Sequence, residues 1–352
     1  MKVLELFGGI GACSKALERL GIEFEIVDYV EIDKYAVKSF NAIHGTNFEP
    51  QDICKWNKDI NVDLIMHGSP CQDFSLAGKQ AGGDEGSGTR SSLMYETLRI
   101  VEKLKPKYVI WENVKNVISK KHVHNFNNYI NRMSELGYKS FYKVLNAKDY
   151  EIPQNRERVF TVSILNEIDY EFPKPKLLNL KLKDILEDEV DEKYYLSEEA
   201  IKGRLTTNYQ KYKLKENLVN GKDIHPTLLA RFEGAPSLFI NNNTKLGYLE
   251  AKNGDGIDIS SRMNHHRGNV QKDKVQTITT SGGNDRGVVL NDLRIRKLTP
   301  KECWRLMGFD DDDFEKASKV NSNSQLYKQA GNSIVVNVLY YILKELLGID
   351  KE

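Results

Sequence analysis

The feature that most limits what this chain can fold into is an alternation over its first 165 or so residues, where short apolar runs take turns with longer stretches of helical spacing. Val3-Leu4-Glu5-Leu6-Phe7 reads as a short buried strand and leads through glycines into a helical stretch from Ser14 to Leu20. Phe24 to Val30 is a second strand that ends at Glu31, with a helix from Asp33 towards His44. Val62 to Met66 runs into Gly68-Ser69-Pro70-Cys71, Tyr108 to Trp111 runs into Glu112-Asn113, and Arg158 to Val162 is strand-like again. Strands separated by helices are joined by right-handed crossovers, which lay helices on both faces of one mainly parallel sheet. The class is α/β.

In this alternation the residues with chemistry to offer follow directly on the apolar runs: Gly8 to Gly11, Glu31, Asp52, Cys71 and Glu112. Open α/β sheets bind ligands at the carboxyl ends of their strands, so these positions converge on one edge. Loops are polar in any case, and for Asp52 taken alone that plain reading is the stronger one. Phe7-Gly8-Gly9-Ile10-Gly11 is a turn that lets a ligand approach the backbone, and Glu31, about twenty residues on, suits ribose hydroxyls. The pattern fits NAD, FAD or S-adenosylmethionine, and a tight turn without ligand stays open. Ser14 stands where a dinucleotide fingerprint has its third glycine, which favours a nucleoside without phosphate.

Gly68-Ser69-Pro70-Cys71-Gln72 is the sharpest signal, since a cysteine between a proline and a polar residue at a strand end is displayed. Cys13 and Cys303 fit the usual fate of free cysteine, burial as a small hydrophobe. The Gly- and Ser-rich run from Asp73 to Arg90 reads as a loop that closes over a substrate, and a helix N-terminus or an arginine nearby would raise the thiolate fraction of Cys71. Glu112 in a closed apolar pocket would hold a proton and donate it. Gln154-x-Arg156-x-Arg158, if a strand, aims both arginines to one side. They are then either a solvated edge or a pair of fixed charges beside an anion or carbonyl oxygen.

Beyond Pro173 the character changes. A charged stretch from Lys181 to Lys193 is followed by residues 200–290, rich in Asn, Lys, Gly and Thr and read as a smaller, loop-rich domain; Val275 to Thr280 alternates like a strand. Thr299-Pro300-x-Glu302 has the form of a helix start, with Thr299 as N-cap. Gly331-Asn332-Ser333 precedes an apolar helix from Ile334 to Leu347 that is expected to return to the first domain's core. The expected organisation is 1–170, 171–295 and a return segment 296–352. A total of 352 residues suffices for two cores. The four cysteines are too scattered for a zinc site or disulfide framework, so no metal is expected. No apolar run nears the roughly 20 residues of a membrane span. The N-terminus lacks the pattern of a signal peptide, and the reading is a cytoplasmic protein. A net charge of +1 is compatible with nucleic acid, which needs only one basic face.

These motifs, in this order over nearly the whole chain, resemble the cytosine-5 DNA methyltransferases. Phe7 to Ala12 is similar to the family's first motif, with Ala12 where glycine is commoner; Pro70-Cys71-Gln72, Glu112-Asn113-Val114 and Gln154-x-Arg156-x-Arg158 match three more; Arg296 to Glu302 and Gly331-Asn332-Ser333 match the last two. The resemblance implies a class I methyltransferase, Rossmann-like sheet with a target-recognition domain near 170–290. It implies Cys71, Glu112, Arg156 and Arg158 as catalytic residues. It implies S-adenosylmethionine held by Phe7, Gly9, Ile10, Gly11, Glu31, Ile32, Asp52, Ile53, Pro70, Leu93, Asn332 and Ser333, with S-adenosylhomocysteine as product. Double-stranded DNA is the implied partner, with Arg90, Arg262, Arg267 and Arg286 as candidate contacts, each equally readable as a solvated surface arginine. A monomer is the default, and a restriction endonuclease is a functional partner to consider. The rivals are a tRNA-modifying relative, whose Cys-Phe-Thr motif is absent, a silent DNA-binding protein, and a nucleotide-dependent oxidoreductase suggested only by the glycine turn.

Overall fold

Val3, Leu4 and Leu6 have no exposed surface, so the first strand, β1 (Lys2–Leu6), lies inside a sheet and not at its margin. The computed structural model describes residues 1–70, 90–166, 168–197, 237–242, 244, 248–260, 268–281, 285–290 and 294–349. Beside β1 run β2 (Glu25–Val30) and β3 (Leu64–His67), both parallel to it, and β4 (Tyr108–Val114) continues the parallel set. Two further strands, β5 (Tyr138–Asn146) and β7 (Glu157–Leu165), are antiparallel, and β6 (Gln154–Asn155) lies between them in sequence. The order is β2-β1-β3-β4-β7-β5, six strands, mostly parallel as expected.

Successive side chains of a strand face opposite sides. Val3, Leu64, Met66 and Ile110 accordingly enter one core, with Ala16 and Leu17 of α1 (Ala12–Arg19). Leu4, Leu6, Ile65, Val109 and Trp111 enter another, under α3 (Met94–Leu104) and α4 (Val123–Glu135). The remaining helix of this part, α2 (Lys34–His44), starts at Asp33, whose carboxylate accepts from the Tyr35 N–H, and packs Phe40 on Tyr29 of β2 with ring centroids 3.8 Å apart. Each fully buried aliphatic or aromatic side chain contributes about 1.5–3 kcal/mol.

The strand expected at Tyr108 to Trp111 runs on to Val114, because β7 pairs with it all the way to Val114 and Arg158. Glu112 therefore lies within a strand rather than just past one.

The smaller part holds β8 (Ser237–Asn241) paired with β9 (Tyr248–Lys252), and a four-stranded sheet ordered β11-β10-β13-β14. Its strands are β10 (Gly256–Asp258), β11 (Val270–Gln271), β13 (Arg286–Val289) and β14 (Ile295–Lys297). Ile240, Ala251, Ile257, Ile259, Val289 and Ile295 make a small core of their own. Leu182, Ile185, Val275, Ile278 and Leu298 join the large core instead. The alternating run at Val275 to Thr280 pairs as a strand only over β12 (Val275–Gln276), which lies parallel to β6. The small sheet runs through Lys297, so the position 295 expected as a boundary falls inside β14. On its way into the small part the chain meets its way out: Tyr195 bridges Arg296, and the Leu196 N–H donates to the Ile295 carbonyl at 2.9 Å.

The last segment carries α5 (Pro300–Arg305), α6 (Asp311–Ser318), α7 (Asn323–Asn332) and α8 (Val336–Leu346). Thr299 caps α5 in a reciprocal box with Glu302, as the sequence predicts. Glu302 also takes a bidentate ion pair from Arg296 at 2.6 and 2.8 Å, both side chains buried. Val338, Leu339, Ile342 and Leu343 of α8 return to the core beside α1. The helix expected from Ile334 begins at Val336, since Gly331 and Asn332 belong to the end of α7 and Ser333 to Val335 form a bend. Among the described residues no helix is long and apolar enough to cross a membrane.

Candidate active site

At the end of β1 the backbone turns sharply. Phe7 has φ 53°, in the left-handed region that a bulky residue rarely adopts. Its N–H is held by the Val30 carbonyl at 2.7 Å. Backbone strain of this kind, about 1–3 kcal/mol, persists where the surroundings impose it and clusters at functional sites. Gly11, φ 82°, begins α1, and a Cβ there would lie 2.2 Å from Nε2 of His44, so only glycine fits. Ser14, in the place of a third glycine, donates its N–H (3.0 Å) and hydroxyl (2.5 Å) to the buried carboxylate of Glu5. That role explains the departure from the dinucleotide pattern.

Glu31, at the end of β2, meets this turn directly: the Gly9 N–H donates to its Oε2 at 3.2 Å and the Asp33 N–H to its Oε1 at 2.8 Å. Burial raises its carboxyl above the ordinary value, against the pull of these two N–H groups. The Tyr29 hydroxyl donates to the Gly9 carbonyl at 2.6 Å and pins the turn from below, a contact the sequence pattern did not single out. Ile32 follows with 69% of its surface exposed, an apolar side chain with nothing over it among the described residues. The loop at Asp52 is drawn to the same place, since the Gln51 N–H donates to the Glu31 carbonyl at 2.8 Å. Asp52 accepts from the Cys54 N–H, and Ile53 is buried. Phe7, Gly9, Gly11, Glu31, Ile32 and Asp52 thus share one edge, while Ile10 points into the core on the far side of the turn. Leu93, half-buried, closes a short turn begun by Arg90 and packs on the second core.

Beyond β3 lies the second half of the site. His67 is buried; its Nε2 shares a hydrogen bond of 3.0 Å with the Tyr129 hydroxyl, and its ring stacks 5.8 Å from Trp111 at an interplanar angle of 2°. Burial depresses its pKa to about 3, so the imidazole is neutral at any physiological pH. Trp111 Nε1 donates to Ser69 Oγ at 3.0 Å, and Asn113 Nδ2 donates to the Ser69 carbonyl at 3.2 Å. The peptide leading to Pro70 is thereby tied to β4 at two points, by members of the two motifs themselves and by Trp111 beside them. Cys71 lies outside the described residues, as do Arg262 and Arg267. Cys13 and Cys303 are buried and burial raises both thiols, as expected of packing cysteines.

Glu112, between Trp111 and Asn113, is buried, and Arg158 Nε stands 3.0 Å from its Oε1. The two form a close ion pair, the one polar contact that Oε1 makes among the described residues. Burial raises its pKa; the positive charges of Arg158 and Arg156 oppose this without cancelling it.

Arg156 and Arg158 do not share a strand face, because the ladder breaks between β6 and β7 at Arg156. Arg156 is buried and donates to the carbonyls of Ile278 (3.0 Å), Gly331 (3.1 Å) and Ser333 (2.8 Å). Gln154 donates to the Leu306 carbonyl and accepts from the Ile278 N–H. These two side chains stand in for the missing ladder beyond β12. They hold the end of α7 at Gly331 and the bend at Ser333, with Asn332 exposed and Ser333 buried, against the segment at Ile278. Arg286, expected as a DNA contact, is buried instead: it donates to the carbonyls of Thr277 and Asp285 and pairs with Asp258 at 3.5 Å. Its guanidinium is consumed in holding the small sheet. An open cleft of about 250 Å³ lined by Glu187, Glu189, Asp191 and Lys301 lies away from the strand ends, and its acidic lining is unsuited to phosphate. Among the described residues no His, Cys, Asp and Glu cluster could hold a metal.

An open sheet with helices on both faces, a strained glycine turn answered by an acid on the next strand, and a buried carboxyl two strands further on define a class I methyltransferase fold. The Entamoeba histolytica methyltransferase EhMeth superposes on it with a TM-score of 0.68 at 15% identity, over 100% of this chain and 99% of that one. The profile of the C-5 cytosine-specific DNA methylases matches residues 1–348. The orphan methyltransferase M.SPRI of Bacillus phage SPR is 33% identical, covering 100% of this chain and 99% of that protein. The type II methyltransferase M.HhaI of Haemophilus parahaemolyticus is 34% identical, with 97% and 93% covered. The chain belongs to the C-5 cytosine-specific DNA methylase family, whose members methylate cytosine in DNA.

Proposed function

We propose that this enzyme methylates carbon 5 of a cytosine within one short sequence of duplex DNA, using S-adenosylmethionine, a flipped-out base and a covalent bond to Cys71. The observation that carries the reading is Glu112: a buried carboxyl with raised pKa, paired with Arg158 and set beside Gly68 at the start of the peptide that leads to Pro70 and Cys71. The residues at the ends of β1 and β2 fit a nucleoside donor. Glu31 offers a carboxylate to ribose hydroxyls, Gly9 and Gly11 leave the backbone bare, and Ile32 presents an apolar surface for a base. When bound there, S-adenosylmethionine supplies an electrophilic methyl group.

Carbon 5 of cytosine is too weak a nucleophile unaided. The Cys71 thiolate adds to carbon 6, and Glu112 supplies a proton at N3 and holds the exocyclic amine, so that the ring's electron density is directed to carbon 5. Arg158 keeps Glu112 in place and presents a positive charge to the cytosine O2. After methylation, loss of the carbon-5 proton, breakage of the bond between sulfur and carbon 6 and return of the N3 proton to Glu112 restore aromaticity, the thiolate and the acid. The reacting atoms are inaccessible in stacked DNA, so the base must leave the helix at a cost of a few kcal/mol. Asn332 and Ser333 close the donor side of the pocket, with Leu93, Ile53 and Pro70 on its apolar lining. Arg90, Arg262 and Arg267 are the remaining candidates for DNA contacts. The enzyme acts as a monomer in the cytoplasm.

The test is cytosine-conversion sequencing of DNA from cells that express the protein or its Cys71→Ser variant. Protection of cytosines in a single motif, seen with the intact protein and lost at least a hundredfold in the variant, is the expected result. Equal protection in both would remove Cys71 from the mechanism, and no protection in either would remove the activity.

A further inference from the structure

The proposed active site contains a side chain that none of the motif assignments includes. Ile334 lies in the Ser333–Val335 bend, where Ser333, Val335 and the following Val336 are buried, yet it is itself only half-buried. Its direction is fixed by what surrounds Gly68. A Cβ built on Gly68 would stand 3.5 Å from Ile334 Cδ1 and 3.9 Å from Glu112 Oε2. Three elements distant in sequence thus meet at one point: bare backbone at the end of β3, the buried carboxyl of β4, and a branched aliphatic tip from the bend between α7 and α8. The bend is held there by Arg156, whose guanidinium binds the carbonyls of Gly331 and Ser333, and the Ser333 hydroxyl turns inward onto the Ile334 carbonyl at 3.0 Å.

We infer that Ile334 forms an apolar wall of the pocket that receives the target base, packing against the pyrimidine ring while Glu112 bonds its polar edge. This rests on the proposed function. The physical argument is one of complementarity. A flat aromatic ring needs a carboxyl at its edge, an apolar contact on its body, and room where a side chain would intrude. Gly68 leaves that room, and the β-branch of isoleucine gives the wall few rotamers. Excluding water beside Glu112 also strengthens the hydrogen bonds it makes to the base. Because the wall orients the ring rather than the donor, it should act on turnover with donor and DNA both saturating.

The experiment compares steady-state methylation of duplex DNA carrying the recognised site by the parent protein and by Ile334→Ala, Ile334→Leu and Ile334→Val. The expected result is a fall in kcat of about tenfold for Ile334→Ala and several-fold for Ile334→Leu, which keeps the volume but moves the branch. Ile334→Val restores most of the rate, and the KM for S-adenosylmethionine stays within about twofold throughout. Ile334→Leu keeps the test decisive should the alanine variant fold poorly. Unchanged kcat in both the alanine and the leucine variants would overturn the inference. So would a loss confined to the donor's KM, which would assign Ile334 to the donor pocket. An inactive parent protein would instead sink the functional reading and this inference with it.

Discussion

His67 shows how much a single side chain under the active site can cost and what it holds in return. It sits buried, bonded to Tyr129 and stacked on Trp111, with its pKa pushed down to about 3 from the ordinary 6.5. The unfolded chain takes up a proton below about pH 6.5 that the folded protein refuses. The contribution is therefore fully present above that pH and is lost as pH falls towards 3, at up to about 1.4 kcal/mol for each pH unit. His67→Gln cannot be protonated and keeps an amide for Tyr129. Urea unfolding between pH 6 and 4 should give it a shallower loss of stability than the parent; parallel curves would mean that the folded protein admits the proton. The ring lies parallel to Trp111 of the neighbouring strand, whose indole N–H reaches Ser69. None of this was legible beforehand, because a histidine inside an apolar run looks the same in sequence whether it is bonded or orphaned. Glu31 and Glu112 were legible, since each follows an apolar run that any parallel sheet must bury.

At the level of elements, legibility followed periodicity. The starts of α2 and α5 could be read from Asp33 and from Thr299 with Glu302, because capping is local chemistry. The strand β5 carries little sequence signal: it is the outermost strand of the sheet, and its alternation is blurred by Lys139, Tyr142 and Lys143 facing solvent. The reach of β4 to Val114 depended on a partner more than forty residues away in sequence. The run from Val275 to Thr280 had the period of a strand but found a partner only at β6. Beyond that, side chains of Gln154 and Arg156 replace the ladder. That replacement can be tested. A lysine cannot serve three carbonyls arranged around a planar fork. Arg156→Lys is expected to lose about 1–3 kcal/mol for each buried carbonyl left bare and to lower kcat together with the melting temperature. An active variant of unchanged stability would show that Arg156 is not what secures the bend. Gly331 makes the same joint from the other side, as a Cβ there would stand 2.4 Å from the backbone of Thr279.

Across the whole molecule, the first helix and the last, α1 and α8, share one core, with the small sheet inserted between them in sequence. The six strands of the large sheet are complete by Leu165, but the core on one of its faces is finished only when the chain has been out and back. The small part keeps a separate core around Ile257, Ile259 and Val289 and is joined to the large one through Leu182, Val275 and Leu298. Exchanging residues 197–294 for the matching stretch of a relative with a different target should therefore change which cytosines are protected, with donor affinity within about threefold of the parent. Retention of the original target in such a chimaera would show that recognition resides elsewhere.

Tyr195 and Arg296 face each other where the excursion leaves and returns, a hydrogen-bonded doorway. The entropy of closing a loop depends only weakly on its length, about 0.6 kcal/mol for each doubling. An ancestor could have lengthened, shortened or replaced what lies beyond that doorway at little thermodynamic risk to the sheet behind it, provided the run at Val275 to Ile278 that packs into the large core was kept. The fold separates what must be kept from what is free to drift: new specificities can be tried out without renegotiating the chemistry.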